Sequence, residues 1–381
     1  MFINELPDDC LLIIFGFLND LDDLVECYKV CSKWSHLIAE RTRKVKYLYP
    51  FDYVYYSTCF PIDGDCLSTL FPNLMVAEIC DKFRVKVDDE DIVTLVKKIN
   101  PLKGLIYERD NEDESIFQYC DQLEMVSVYC VKPYMEKNGV WIKQLKLCNY
   151  NLNSLAKVGH YFPNLERLCI NVDIRLFSLG QNNYYNGPIF RKLKILEMCL
   201  ASQMNENMCY GLQFINSCPN LQSAHIDSCS RNFFVNESKH LSLQDLVIEF
   251  TDYGHFGVYY EGLRRSLSNY PNLKHLALRC NDSLDDRQVG YLIRFLPNLV
   301  LFAVRGCQKV TQKAADYVQD YNNQHGRTIK FYFDGNYHEI KSDWPQLSKK
   351  WEKISQGFDF MKHCFLKGFE GLSTFLISNE D

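Results

Sequence analysis

The sequence predicts an α/β repeat solenoid, with parallel strands lining a concave face and helices outside, preceded by a small all-α module of three helices. Three observations carry this expectation. The phrase Pro-Asn-Leu occurs five times, at 72–74, 163–165, 219–221, 271–273 and 297–299. Each of its leucines opens an apolar frame of the form L-x-x-L-x-L, and weaker copies fill the gaps. Ahead of these, residues 4–46 have apolar side chains at helical spacing and a charge balance unlike the rest of the chain.

The first 40 residues hold eight acidic side chains against Lys29 and Lys33, so they contribute the whole net charge of −6. Leu6-Pro7-Asp8-Asp9 reads as a helix opening. Proline presets φ there, and the carboxylates favour the positive helix end. Leu11, Leu12, Ile14, Phe15 and Leu18 follow on helical spacing, and Asn19-Asp20 closes the element. A second helix starts near Asp22-Asp23 and carries Leu24, Cys27, Val30 and Cys31. A third carries Trp34, Leu37 and Ile38 and ends on Arg41, Arg43, Lys44 and Lys46, cations suited to a helix C-terminus. Three helices in about 45 residues make a meagre core, so part of this apolar surface is expected to pack on something else.

The string Leu6-Pro7, Leu11-Leu12-Ile13-Ile14-Phe15, Leu18, Asp23-Leu24, Val30-Cys31-Ser32-Lys33-Trp34 closely resembles the F-box family, element for element and in order. The resemblance covers only this short segment. It implies docking to the Skp-family adaptor of an SCF-type ubiquitin ligase, and through it to cullin and RING subunits. The residues it marks for adaptor binding are Leu6, Pro7, Leu11, Ile14, Phe15, Leu18, Leu24, Val30 and Trp34.

The repeat anchors fall at residues 74, 102, 123, 142, 165, 193, 221, 243, 273 and 299, at intervals of 19 to 30. These intervals match the leucine-rich repeat with one slight overshoot. Helices are expected at Asp91–Asn100, Leu212–Ser217, Asp285–Phe295 and Thr311–Tyr321, and an end strand at Ile329–Phe333. Cys229, Asn281 and Cys307 stand eight residues past their anchors. The run Gly306-Cys307-Gln308-Lys309-Val310-Thr311 resembles the cysteine-containing repeat subtype found behind F-boxes. The domain boundaries read as 1–46, 47–335 and a C-terminal helical cap or tail at 336–381.

Because strand side chains alternate, residues two, four and six past each anchor point to the concave face. Arg167, Glu197, His225, Asp227, Asp245, Glu249, His275, Arg279 and Arg305 form an acidic-to-basic gradient there. This is the candidate target-binding surface; its alternative is a solvated face with a Glu249–Arg279 cross-strand pair. In the tail, Phe358, Met361, Phe365, Phe369, Leu372 and Leu376 recur at helix-like intervals. Capping the exposed end of the solenoid is the first expectation for it, and folding back over the concave face is the alternative.

The sequence carries no glycine-rich phosphate loop, no Ser/His/Asp signature and no ladder of zinc ligands. No catalytic residue, metal or cofactor is therefore assigned. A negative net charge argues against a nucleic-acid partner. No apolar run approaches the roughly 18 residues of a membrane helix. The start does not read as a signal peptide, and the 17 evenly scattered cysteines suit reduced thiols. Asn236-Glu237-Ser238 is a sequon without expected use. The reading is a cytoplasmic or nuclear, non-catalytic substrate adaptor that places a target for ubiquitylation and proteasomal degradation. Its alternative is an interaction scaffold that uses the repeats without ligase activity.

Overall fold

All ten repeat anchors are followed, two residues later, by the first residue of a parallel strand. The computed structural model describes residues 3–49, 62–85, 87–108, 116–172, 184–200, 208–228, 232–233, 238–250 and 260–380. The chain divides into two compact units, Met1–Ile142 and Lys143–Asp381. These boundaries differ from those read in the sequence: the N-terminal helices share a unit with the first repeats, and residues 336–381 belong to the second.

In the first unit, a 3-10 turn (Ile3–Glu5) leads to α1 (Asp8–Phe15), α2 (Leu21–Lys29) and α3 (Ser32–Thr42). Asp20 caps α2 by accepting from the Asp22 amide at 2.8 Å. Leu11, Phe15, Leu24, Val25, Leu37 and Ile38 are buried. The strands β1 (Tyr47–Leu48), β2 (Val76–Glu78), β3 (Gly104–Tyr107) and β4 (Met125–Val128) then pair in chain order, all parallel.

The second unit continues the repeat with β5 (Gln144–Cys148), β6 (Arg167–Asn171), β7 (Ile195–Leu200), β8 (Met208–Cys209), β9 (Ser223–Ser228), β10 (Asn232–Phe233), β11 (Asp245–Phe250), β12 (His275–Arg279), β13 (Leu301–Arg305) and β14 (Lys330–Tyr332). β8 and β10 form a separate short pair, and the others lie side by side in chain order. Helices return the chain between strands, at Leu152–Val158, Tyr210–Ile215, Tyr260–Leu267, Asp286–Phe295 and Gln312–His325. Strand order that follows chain order, with each crossover packed on its neighbours, defines a leucine-rich-repeat solenoid.

The Pro-Asn-Leu phrase has a structural reason beyond its leucine. The side-chain amides of Asn220, Asn272 and Asn298 donate to the carbonyls of Arg191, Leu241 and Pro271 at 2.7, 2.8 and 3.0 Å, so each ties its turn to the repeat before it. Asn73 does the same to the Arg43 carbonyl at 2.9 Å. Gly306 leaves β13 at φ +69°, where a side chain would be strained, and positions Cys307 with its buried thiol 3.7 Å from the Leu278 carbonyl. Cys229 and the first two residues of the sequon lie outside the described residues. No cysteine among the described residues forms a disulfide, and no helix among them is long and apolar enough to cross a membrane.

The tail is not wholly helical. It contains short helices at Ile340–Asp343 and Phe360–Cys364, a 3-10 turn at Phe369–Gly371, and a parallel pair β15 (Ile354–Gln356) with β16 (Phe375–Ile377). It lies across the outward columns of the second unit. Ile195, Val247, Ala277, Leu301, Ala303 and Tyr332 from the strands pack with Ile340, Leu347, Phe360, Met361, Phe365, Leu366 and Leu376 from the tail in a second hydrophobic core.

Candidate functional site

Two surfaces were expected to carry function, and the structure treats them differently. In the first unit, Leu11 (0% exposed), Phe15 (1%) and Leu24 (5%), three of the residues expected at the adaptor contact, are interior and pack in the core. Phe15 meets Trp34 edge to face with centroids 5.0 Å apart, and the Trp34 Nε1 donates to the Asn4 side chain at 2.7 Å. Lys33 reaches back to the carbonyl of Leu6 at 3.1 Å and to Asp8. This Lys-Trp pair fixes the N-terminal turn against α3. Leu6, Leu18 and Trp34 are half-buried; Pro7, Ile14 and Val30 are exposed.

Two residues not marked for adaptor contact are more exposed than Ile14 (40%) and Val30 (56%): Phe17 at 80% and Ile13 at 65%. With Cys10 and Ile14 they occupy helical positions i, i+3, i+4 and i+7, so one face of α1 and its C-terminal turn is open and apolar. The signal was the unbroken apolar run Ile13-Ile14-Phe15-Gly16-Phe17, of which only Phe15 turns inward.

In the second unit the expected gradient is assembled, in register. Arg167, Asp245 and His275 share one row of strand positions, Glu197 and His225 the next, and Asp227, Glu249, Arg279 and Arg305 the third. Much of it is not open to solvent: Arg167, Glu197, His225 and Arg279 are buried. Arg167 and Glu197 form an ion pair at 2.6 Å with side chains 3% and 0% exposed. Arg167 also donates to the carbonyls of Ser373 and Thr374 at 2.6 and 3.0 Å. Glu197 accepts from the Cys364 thiol at 3.2 Å. The Leu376 amide donates to the Gln144 side chain at 3.0 Å, and Arg279 donates to the carbonyls of Phe365 and Lys367. The concave charges therefore hold the backbone of the chain's own tail. Burial opposes the charge of Arg167, but the Glu197 carboxylate outweighs it and raises the guanidinium's pKa. Burial pushes the Cys364 thiol far up, so it stays protonated and donates.

His225 and Arg279, both buried, meet the half-buried Glu249 in a second group. Burial lowers the His225 pKa despite Glu249 beside it, so a neutral imidazole donates through Nε2 to Glu249 at 3.2 Å. Burial works against the Glu249 charge, yet the bond from His225, then Arg279 and the Phe369 amide at 3.2 Å, hold it below the usual carboxylate range. Both groups bind fewer protons folded than unfolded, so their stabilisation is complete above the unfolded histidine value. It declines as pH falls through about 6.5 and again below about 4.3, where the unfolded glutamate takes its proton. The urea midpoint of the second unit is expected to fall over that range, and His225→Gln to flatten the upper part. An identical slope in His225→Gln would contradict this.

Asp245 is bonded by His275 Nδ1 and the Ser223 hydroxyl, both at 2.6 Å, and Asp227 lies 3.5 Å from the Cys199 thiol. Arg305 alone of the nine expected residues is exposed.

An F-box-like family model matches residues 3–43. The chain thus joins an F-box-like domain to a leucine-rich-repeat solenoid. Among solved structures it is similar to the leucine-rich repeat-containing protein LegL7 from Legionella pneumophila (9% identity, 68% of this chain and 85% of that one, TM-score 0.40). It is also similar to a chain of the yeast Rad7–Elc1 complex (18% identity, 85% and 92% coverage, TM-score 0.35). No curated protein matches the sequence.

Proposed function

We propose that this chain is the substrate-recognition subunit of an SCF-type cullin–RING ubiquitin ligase, in the cytoplasm or nucleus. Its F-box-like domain docks a Skp-family adaptor, and its repeat unit holds a target protein for ubiquitylation and proteasomal degradation. The observation that carries this reading is the open apolar face of Ile13, Ile14 and Phe17 on a domain matched by an F-box-like model. A small module that leaves large aromatic and β-branched side chains in water is built for a partner. The chain itself has no assigned catalytic group. Its contribution is proximity: a target and the conjugating machinery held on one chain react at a high effective concentration.

Co-purification tests this. The full chain is expected to bring down the Skp-family adaptor together with cullin and the RING subunit, and substitution of Leu6 and Pro7 to abolish this. Recovery of adaptor without cullin would instead mark a scaffold outside the ligase.

A further inference from the structure

On the outer side of the last repeats, two large aromatic rings stand in water among arginines. The helix Asp286–Phe295 buries Val289, Leu292 and Ile293, so its opposite side is expected to be polar throughout. That side instead carries Arg287, Tyr291, Arg294 and Phe295 at i, i+4, i+7 and i+8. All four are exposed, Tyr291 at 50% and Phe295 at 45%. Two contacts lay the preceding helix, Tyr260–Leu267, alongside. The Tyr260 hydroxyl donates to the Gln288 carbonyl at 3.3 Å, and the Arg264 guanidinium lies 4.7 Å from the centre of the Phe295 ring. The nearby carboxylates are already engaged. Glu261 accepts from Arg264 at 2.9 Å and from Arg265 at 3.1 Å. Asp285 accepts from the Gln288 amide, and Asp286 from the Thr311 amide and hydroxyl. Arg294 donates only to the neutral Tyr317 hydroxyl, and Arg287 has no carboxylate partner among the described residues.

We propose that Arg264, Arg287, Tyr291, Arg294 and Phe295 form a docking surface for an acidic segment of a second protein that also carries apolar side chains. Charge complementarity selects the occupant. Four guanidiniums, counting Arg265, face outward against one carboxylate on a chain of net charge −6. Guanidiniums pair with carboxylates through two parallel bonds, and aromatic rings and arginines are the side chains enriched at tight protein interfaces. Two of the arginines are already stacked, Arg264 on Phe295 and Arg294 on Tyr317 with 5.5 Å to the ring centre, so they lose little freedom on binding. A nucleic-acid backbone is the poorer fit. It needs a longer basic track, and this patch is bordered by Asp285, Asp286, Asp316 and Asp320. The surface goes beyond the proposed ligase role. It belongs to a different unit from the F-box-like domain, and it lies on the helices rather than on the strand columns that the tail holds.

The test uses the full chain and a short fluorescent peptide in which glutamates flank one leucine and one tryptophan. Binding is expected to be saturable and to weaken as salt rises. It is expected to fall about tenfold or more in Arg287→Gln/Arg294→Gln, and separately in Tyr291→Ser. Both variants change exposed side chains and are expected to unfold near the parent's temperature. A peptide with serines in place of leucine and tryptophan, or with glutamines in place of the glutamates, is expected to bind about tenfold more weakly or less. Equal binding by the parent and both variants, no binding by the folded parent, equal binding of either altered peptide, or tighter binding of a single-stranded oligonucleotide would each overturn the proposal.

Discussion

Glu197→Ala is expected to destabilise the Lys143–Asp381 unit by about 3–5 kcal/mol, the usual cost of stranding a buried charge. Arg167 would keep its guanidinium in an interior site without the carboxylate 2.6 Å away that neutralises it. The Cys364 thiol would lose its acceptor in the same step. Glu197→Gln keeps an acceptor for both donors and removes only the charge, so it is expected to cost less than the alanine. Urea unfolding of the second unit measures both, with limited proteolysis of the tail as a local reading. Values within about 0.5 kcal/mol of the parent for both variants, the range of an ordinary surface change, would mean the pair is not buried as described.

The second large effect is expected from removing the tail after residue 335. Ile195, Val247, Ala277, Leu301, Ala303 and Tyr332 would be left on a surface facing water, with Arg167, Arg279 and Gln144 stripped of their backbone partners. A contiguous apolar face of that kind promotes aggregation. The truncated chain is expected to bind apolar dye, to unfold at a lower temperature, and to be partly rescued by a peptide spanning 336–380 added in trans. A truncated chain as stable and as dye-free as the parent would show that the tail is an ornament. The within-chain test Phe365→Ala empties one fully buried position of the same core, at about 3–5 kcal/mol.

The solenoid was legible because its period is written in the leucines: every anchor from Leu74 to Leu299 places a strand two residues on. The outward columns were legible too, since alternation fixes which side chains leave the core. What alternation does not say is whether the outward side meets water or a second core. The missed signal was composition. The row holding Arg167 also holds Ile195 and Leu301, the row holding Glu197 also holds Val247, Ala277 and Ala303, and parallel sheets are commonly covered on both faces. Combined with the apolar tail, those residues favoured folding back over capping. In the F-box-like segment the motif found the fold but not the faces. Leu11, Phe15 and Leu24 look like contact residues in a pattern and are core in three dimensions. Ile13 and Phe17 look like filler and are the most exposed large apolar side chains of that domain.

That open face is where the account is most exposed to test. Purified full-length chain, titrated with a purified Skp-family adaptor, is expected to bind saturably at one to one. Ile13→Asp/Phe17→Asp is expected to weaken binding by the 2 kcal/mol or more of an interface hot spot, about thirtyfold or greater, with unchanged thermal unfolding. Equal binding by parent and variant, or no binding by a folded parent, would contradict the adaptor role.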